Sequence, residues 1–194
     1  MYYLVGLGNP GEKYADTRHN VGWLALDHCI EKWGLPNLIE VSGQSGRVTD
    51  GMVTGEAVSV LYPDTYMNNS GSAVVKFLPR DAHKNLVVVH DDIDLPFGEI
   101  KVSYGKGGGG NGVQSIIQKL DTKNFIRVRI GIAPTSFWTG KTKRPAGGGP
   151  LERFVLKEFG KAEQKQLNEV FIKVQKAIEL ILKEGHEHAM NKCN

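Results

Sequence analysis

Cysteine is scarce in this chain of 194 residues: Cys29 lies in a helical pattern and Cys193 near the end, with no spacing that would build a disulfide framework. A reducing compartment suits such a pair, so a cytoplasmic protein is expected. Long apolar runs are also missing. No segment approaches the roughly 20 consecutive apolar residues that span a bilayer, which predicts a soluble chain without a membrane partner. The opening MYYLVGLGNPG lacks a basic n-region and runs straight into a strand pattern, so no secretory signal is expected. There is no G-x-S-x-G elbow, and the one cysteine within a regular element sits inside a helix, so no protein nucleophile is evident and water is the default one. Charge of one sign is not in large excess either. A net charge of +3 does not by itself argue for nucleic acid, so the placement of the basic residues matters more than their sum.

What is present reads as alternating strands and helices. Residues 2–7 form an apolar run ending in glycines, a buried strand entering a loop. Asn20 is placed to cap a helix in which Trp23, Leu26, Ile30 and Trp33 share one face, with Gly34 as its stop. Residues 47–49 and 56–62 predict an antiparallel pair around a Thr49-Asp50-Gly51 turn. A short helix is expected from Asn69 or Ser70 to Leu78. Residues 86–89 have the continuous β-branched character of a strand covered on both faces, followed by an acidic loop, HDDIDLPFG. A strand at 100–103, a glycine-rich stretch at 105–112, a helix at 113–120 and a strand at 127–132 come next. The final helix is expected at about 161–183, with Val170, Val174, Ala177, Ile178 and Ile181 on one face, and His186-Glu187-His188 beyond it reads as a frayed, solvated tail. The expectation is one domain over residues 1–194: a three-layer α/β/α sandwich around a mixed, mostly parallel sheet, with a flexible basic loop at about 134–150.

Gly6-Leu7-Gly8-Asn9-Pro10-Gly11 satisfies the dinucleotide pattern G-x-G-x-x-G after a strand. A true fingerprint opens a helix at once, whereas here apolar periodicity begins only at Val21 and no acid ends a second strand. The glycines instead make a tight turn that displays Asn9. The second glycine run lacks the Gly-Lys-Ser/Thr ending of a nucleotide-binding phosphate loop, so no nucleotide cofactor is expected.

Ligands of open α/β sheets collect beyond the carboxyl ends of the strands. Asn9, Asp91 and the segment 66–68 fall there, and the polar run before the first helix brings His19 to the same edge. A lone histidine at a helix start is an ordinary capping or surface residue. Its neighbours change that reading: an aspartate after a buried strand can hold one imidazole tautomer, and the amides of Asn9, Asn68 and Asn111 offer neutral donors to a carbonyl or oxyanion. His90, Asp91, Asp92 and Asp94 could instead hold a metal. Successive strand residues point to opposite faces, however, and a loop of exposed acids is the commoner explanation, so no metal is expected.

Four blocks, GLGNPGEKYADTRHN at 6–20, TYMNNSG at 65–71, VVHDDIDLPFG at 88–98 and RVRIGI at 127–132, resemble the bacterial peptidyl-tRNA hydrolase family along nearly the whole chain. The resemblance implies cleavage of the ester between a peptide and the 3′-terminal ribose of tRNA, without a cofactor and by a monomer. It implies that His19 is the general base, that Asp91 keeps it oriented and basic, and that Asn9 helps separate peptide-bearing from free-amine substrates. Tyr14, Tyr66, Asn68 and Asn111 match positions that contact the peptidyl end and acceptor terminus, and Lys101 and Arg129 match basic positions that hold the tRNA 5′ phosphate. This chain departs from the family in two places. The glycine loop reads GKGGGGNG where the family writes GHxGHNG, and the loop from Thr135 to Pro150, with Lys141, Lys143 and Arg144, is longer than usual. Two rivals stand beside this reading: an RNA-binding relative without turnover, kept alive by the altered glycine loop, and a generic esterase with no tRNA requirement.

Overall fold

A computed structural model describes residues 1–106, 109–135, 142 and 144–194. Among these residues seven strands form one sheet: β1 (Tyr2–Gly6), β2 (Ile39–Glu40), β3 (Gly46–Val53), β4 (Glu56–Pro63), β5 (Leu86–Pro96), β6 (Ile100–Tyr104) and β7 (Ile126–Ala133). Their spatial order is β2-β3-β4-β1-β5-β7-β6. The central four, β4, β1, β5 and β7, run parallel to one another, and antiparallel strands close both flanks. Two antiparallel pairings, β2 on β3 and β6 on β7, lie beyond the one that the turn chemistry around residues 47–62 signals.

Helices α1 (Val21–Trp33), α5 (Lys161–Glu184) and α6 (His186–Cys193) pack on one face, and α2 (Ser70–Phe77) and α3 (Asn111–Leu120) on the other. The short helix α4 (Gly149–Val155) contributes to the first of these layers. The α/β/α sandwich is therefore as the alternating pattern implies. Val87, Val88 and Val89 are wholly inaccessible and alternate between the two cores. Each such side chain contributes about 1.5–3 kcal/mol relative to an exposed position, which is why this β-branched run takes the centre of the sheet.

Four local expectations are corrected. The hairpin between β3 and β4 turns at Thr54 and Gly55, both at positive φ, and not at Thr49-Asp50-Gly51. Gly51 instead lies within β3, opposite Val58 and against the Leu35 side chain. The two-residue loop with positive φ at both positions matches the twist of the strands it joins. The acidic segment after Val89 is no loop: β5 continues through it to Pro96, held by β7 across an irregularity between Asp92 and Pro96. Residues 186–193 are no frayed tail, because α6 docks on β6. The His186 ring stacks on Tyr104 with centroids 4.3 Å apart, and Ala189 is fully buried. The Asn194 side chain accepts from the Val102 amide at 2.8 Å and donates to the Val102 carbonyl at 2.9 Å, satisfying part of the open edge of β6. Finally, α4 falls within the stretch read as loop at 134–150 and just after it. Residues 136–141 and 143, including Lys141 and Lys143, lie outside the described residues, as do Gly107 and Gly108.

The carboxyl edge of the parallel strands owes its shape to one close approach. A Cβ on Gly22 would stand 2.4 Å from the Val89 carbonyl oxygen and 2.7 Å from that of Leu7. Both are backbone atoms of the sheet and its loop, which cannot step aside as a flexible side chain could. Gly22→Ala is expected to destabilise the fold by about 1–3 kcal/mol, the usual cost of overpacking, and to reduce activity by pushing the start of α1 away. Thermal unfolding with a parallel activity measurement checks this; a wild-type melting temperature would show that the approach is not tight.

Candidate active site

The loop after β1 and the 3-10 turn Arg18–Asn20 meet through a reciprocal pair. Asn20 Oδ1 accepts from the Asn9 amide at 2.9 Å, and Asn20 Nδ2 donates to the Asn9 carbonyl at 3.0 Å. Asn20 occupies the N-cap position of α1 but makes no side-chain cap there, which corrects its expected role. It spends its amide on the neighbouring loop instead. Asn9 is pinned a third time, because its Oδ1 accepts from the Met67 amide at 2.8 Å. That bond fixes which end of the Asn9 amide is the acceptor, and leaves its Nδ2 as a donor with no protein partner among the described residues.

His19 precedes Asn20 and reaches β5. Its Nδ1 stands 3.0 Å from each oxygen of Asp91. A carboxylate only accepts, so Nδ1 carries the proton and Nε2 is the free nitrogen. Burial of His19, the largest single influence, lowers its pKa, but the charge of Asp91 and the hydrogen bond to it together outweigh burial, and the net shift is upward. His90, the preceding residue on β5, is wholly buried and shifted the other way, mainly by desolvation, with its Nδ1 donating to the Asp91 carbonyl at 2.8 Å.

These groups line a cleft of about 660 Å³ at the carboxyl edge of the sheet. Asn9, His19 and Asp91 line it together with Tyr14, Tyr66, Asn68 and Asn111, so seven of the nine residues singled out in the sequence converge. Tyr14 and Tyr66 meet edge to face, with centroids 6.5 Å apart, and Tyr66 is 59% exposed. Asn111 opens α3, whose second residue, Gly112, has no room for a Cβ against Met67 and Leu7, and this contact brings Asn68 and Asn111 to the same rim. Lys101 and Arg129 are not cleft residues. They are register partners across β6 and β7, and Arg129 donates from Nε to Asp92 at 2.7 Å. Asp92 is thus buried and paired, contrary to the reading of this segment as exposed acids, while Asp94 pairs with Arg144 at 2.6 Å on the surface. Adjacent carboxylates on β5 face opposite sides of the sheet, and among the described residues no three His, Cys, Asp or Glu side chains converge on a metal position. Cys29 lies in the core, where burial pushes its thiol up.

Sequence reasoning missed the opposite wall, which Leu151, Glu152, Val155 and Leu156 of α4 and its end supply. The signal was there: Pro150 in the first turn, preceded by glycines, is a helix start.

The molecule is therefore an open α/β/α sandwich whose polar cleft, with a histidine–carboxylate pair and side-chain amides, sits beyond the carboxyl ends of its parallel strands. The peptidyl-tRNA hydrolase family model matches residues 3–194. The chain is 39% identical to the peptidyl-tRNA hydrolase of Syntrophotalea carbinolica, over 100% of this chain and 97% of that protein, and 40% identical to that of Koribacter versatilis, over 100% and 92%. The crystal structure of peptidyl-tRNA hydrolase from Acinetobacter baumannii superposes with a TM-score of 0.85 at 31% identity, covering 100% of this chain and 94% of that one. The chain belongs to the peptidyl-tRNA hydrolase family.

The upward shift of His19 yields a signed expectation. Asp91→Asn removes the charge and nearly keeps the shape, so burial then dominates and the histidine pKa falls. The limb of kcat/KM that reports formation of neutral imidazole in the free enzyme should move to lower pH, while the maximal rate drops because tautomer and orientation are lost. Asp92→Asn, whose carboxylate faces Arg129, should leave that limb in place. A limb that follows Asp92 and ignores Asp91 would reverse the assignment.

Proposed function

We propose that His19 activates a water molecule to hydrolyse the ester between a peptide, or an N-blocked amino acid, and the 3′-terminal ribose of tRNA. The observation that carries this reading is the fixed geometry of His19: Nδ1 is held by both oxygens of Asp91, and Nε2 is left for the cleft. Water attacks the ester carbonyl as Nε2 takes its proton, and as the bond from the acyl carbon to the ribose oxygen breaks the histidinium returns that proton to the departing oxygen, which leaves as the hydroxyl. Asp91 stabilises the histidinium without itself being protonated. Asn9, with its oxygen committed to Met67, offers its amide hydrogens to the substrate carbonyl or its oxyanion. Such general-base help contributes about 10²–10⁴-fold and an oxyanion donor about 10²–10³-fold, so the protein's own groups suffice and no cofactor is required.

In this reading Tyr14, Tyr66, Asn68 and Asn111 hold the peptidyl end and acceptor terminus, because they rim the cleft around His19. Lys101, exposed on an edge strand, and Arg129 beside it hold a tRNA phosphate. The enzyme acts as a cytoplasmic monomer in recycling tRNA; among the described residues no helix is long and apolar enough to cross a membrane.

Release of N-acetylated amino acid from charged tRNA tests the assignment. His19→Ala should lower turnover by ~10²-fold or more while tRNA affinity stays largely intact, and unchanged turnover in the folded variant would sink it. For the phosphate contacts, Lys101→Ala should reduce the slope of log affinity against log salt by roughly one, with little effect on turnover at saturation. Arg129→Ala should do the same but with a lower melting temperature, since it leaves the buried Asp92 unpaired. A salt slope untouched by both would place the clamp elsewhere.

A further inference from the structure

Arg18, the residue before His19, is not among the residues that line the cleft and is buried, with 8% of its surface exposed. Its Nη2 donates to Glu163 on α5 at 2.6 Å. Its Nη1 donates to the carbonyls of Glu158 at 2.7 Å and Lys157 at 3.3 Å. The guanidinium lies 4.5 Å from the ring centroid of Phe154 on α4 and 5.4 Å from that of Phe159. The backbone joins in: the Arg18 amide donates to the Lys157 carbonyl at 3.0 Å, and Thr17 forms a β-bridge with Glu158. One side chain and its flanking backbone thus fasten the turn that carries His19 to the connection between α4 and α5. Glu163 also accepts from the Gly160 amide at 2.6 Å, so the same carboxylate that holds Arg18 closes the first turn of α5.

We propose that Arg18, clamped by Glu163, is a positioning residue for His19. It sets the reach of the imidazole to Asp91 and fixes the distance between His19 and the α4 wall of the cleft. This rests on His19 being the base. The turn Arg18–Asn20 is three residues long and has no side-chain cap of its own, so its orientation is set by what grips it from outside. Asn20 grips one side through Asn9, and Arg18 grips the other through residues 157–163. Between these two anchors His19 has little freedom. Releasing one anchor lets the imidazole drift from a carboxylate that it meets at 3.0 Å on both oxygens. A misplacement of about 1 Å typically costs on the order of 10²-fold in rate.

The experiment compares Arg18→Met, Arg18→Lys and Glu163→Gln with the wild type in the peptidyl-tRNA hydrolysis assay, reading kcat, KM, the pH profile of kcat/KM and the melting curve. Arg18→Met keeps much of the apolar stem against Phe154 and Phe159 while removing every donor. It should lower kcat by ~10-fold or more with KM nearly unchanged, and shift the imidazole limb to lower pH as contact with Asp91 loosens. The sign of that shift is diagnostic. Simple removal of a nearby positive charge would move the limb to higher pH, and loss of stability alone would not move it. Asp91 is the charged partner in contact with His19, and Glu152 from α4, Asp92 and Asp94 from β5 and Arg144 line the same cleft. None of these is altered by the substitutions. Arg18→Lys restores the charge with fewer and shorter donors and should recover part of kcat. Glu163→Gln keeps an oxygen acceptor for both Arg18 and Gly160, so it should fold even if Arg18→Met does not, and should show a smaller fall in kcat with KM nearly unchanged; because it removes an anion, its limb moves down on either account, and its kcat against its melting curve is the reading that decides. His19→Ala, run alongside, separates the two levels: if it retains full turnover, the base assignment fails first. If His19 is required but the folded Arg18 and Glu163 variants keep the wild-type kcat and limb, or lose activity only in step with melting, the positioning role is overturned.

Discussion

Helix α1 starts within van der Waals contact of the sheet, and almost every feature of the cleft depends on that closeness. Gly22 permits it, since any side chain there would strike the carbonyls of Leu7 and Val89. Because the helix start touches the ends of β1 and β5 together, the three residues before it are delivered to both strands at once. Asn20 then meets Asn9, and His19 meets Asp91. Were α1 an ångström or two farther out, neither hydrogen-bonded pair could form, and the imidazole would lie in solvent as an unremarkable surface histidine.

Two kinds of force share the work at this edge. The apolar strands set where the edge lies, through burial that is strong but without direction. Hydrogen bonds to fixed backbone groups then aim the side chains. Asn9 shows the division clearly: three of its polar groups are consumed by Asn20 and Met67, and one amide nitrogen is left over. Arg18 has the same character on the other side, with its guanidinium near the rings of Phe154 and Phe159 and its two terminal nitrogens committed to carbonyls and Glu163. A site made this way costs little to reorganise during reaction, because its dipoles are already oriented.

Strand β5 separates two electrostatic tasks by its pleat. Asp91 faces His19 and Asp92 faces Arg129, and the period of two keeps the carboxylates on opposite sides although they are adjacent in the chain. The cation beside the cleft and the imidazole within it are therefore each matched to a carboxylate of their own. That arrangement required β5 to stay extended through Asp92, past the apolar residues that announce it.

The amino-acid sequence by itself determined the layers and the candidate residues. Apolar patterning marked the central strands and helices α1 and α5, and polar residues just beyond the strands marked His19, Asp91, Asn9, Asn68 and Asn111, because both signals are local. Tertiary structure decided what local pattern cannot carry. The acidic run after Val89 has no strand character of its own and is extended only because β7 pairs with it. The tail at 186–193 is too polar to announce a helix, and is one because Tyr104 and Ala189 give it a surface to rest on. Asn20 looks like a helix cap in one dimension and becomes a loop clamp in three, since the partner it prefers is 11 residues away. Arg18 and Glu163 are 145 residues apart. No spacing rule links them, and only the packing of α5 against the start of α1 brings their charges together.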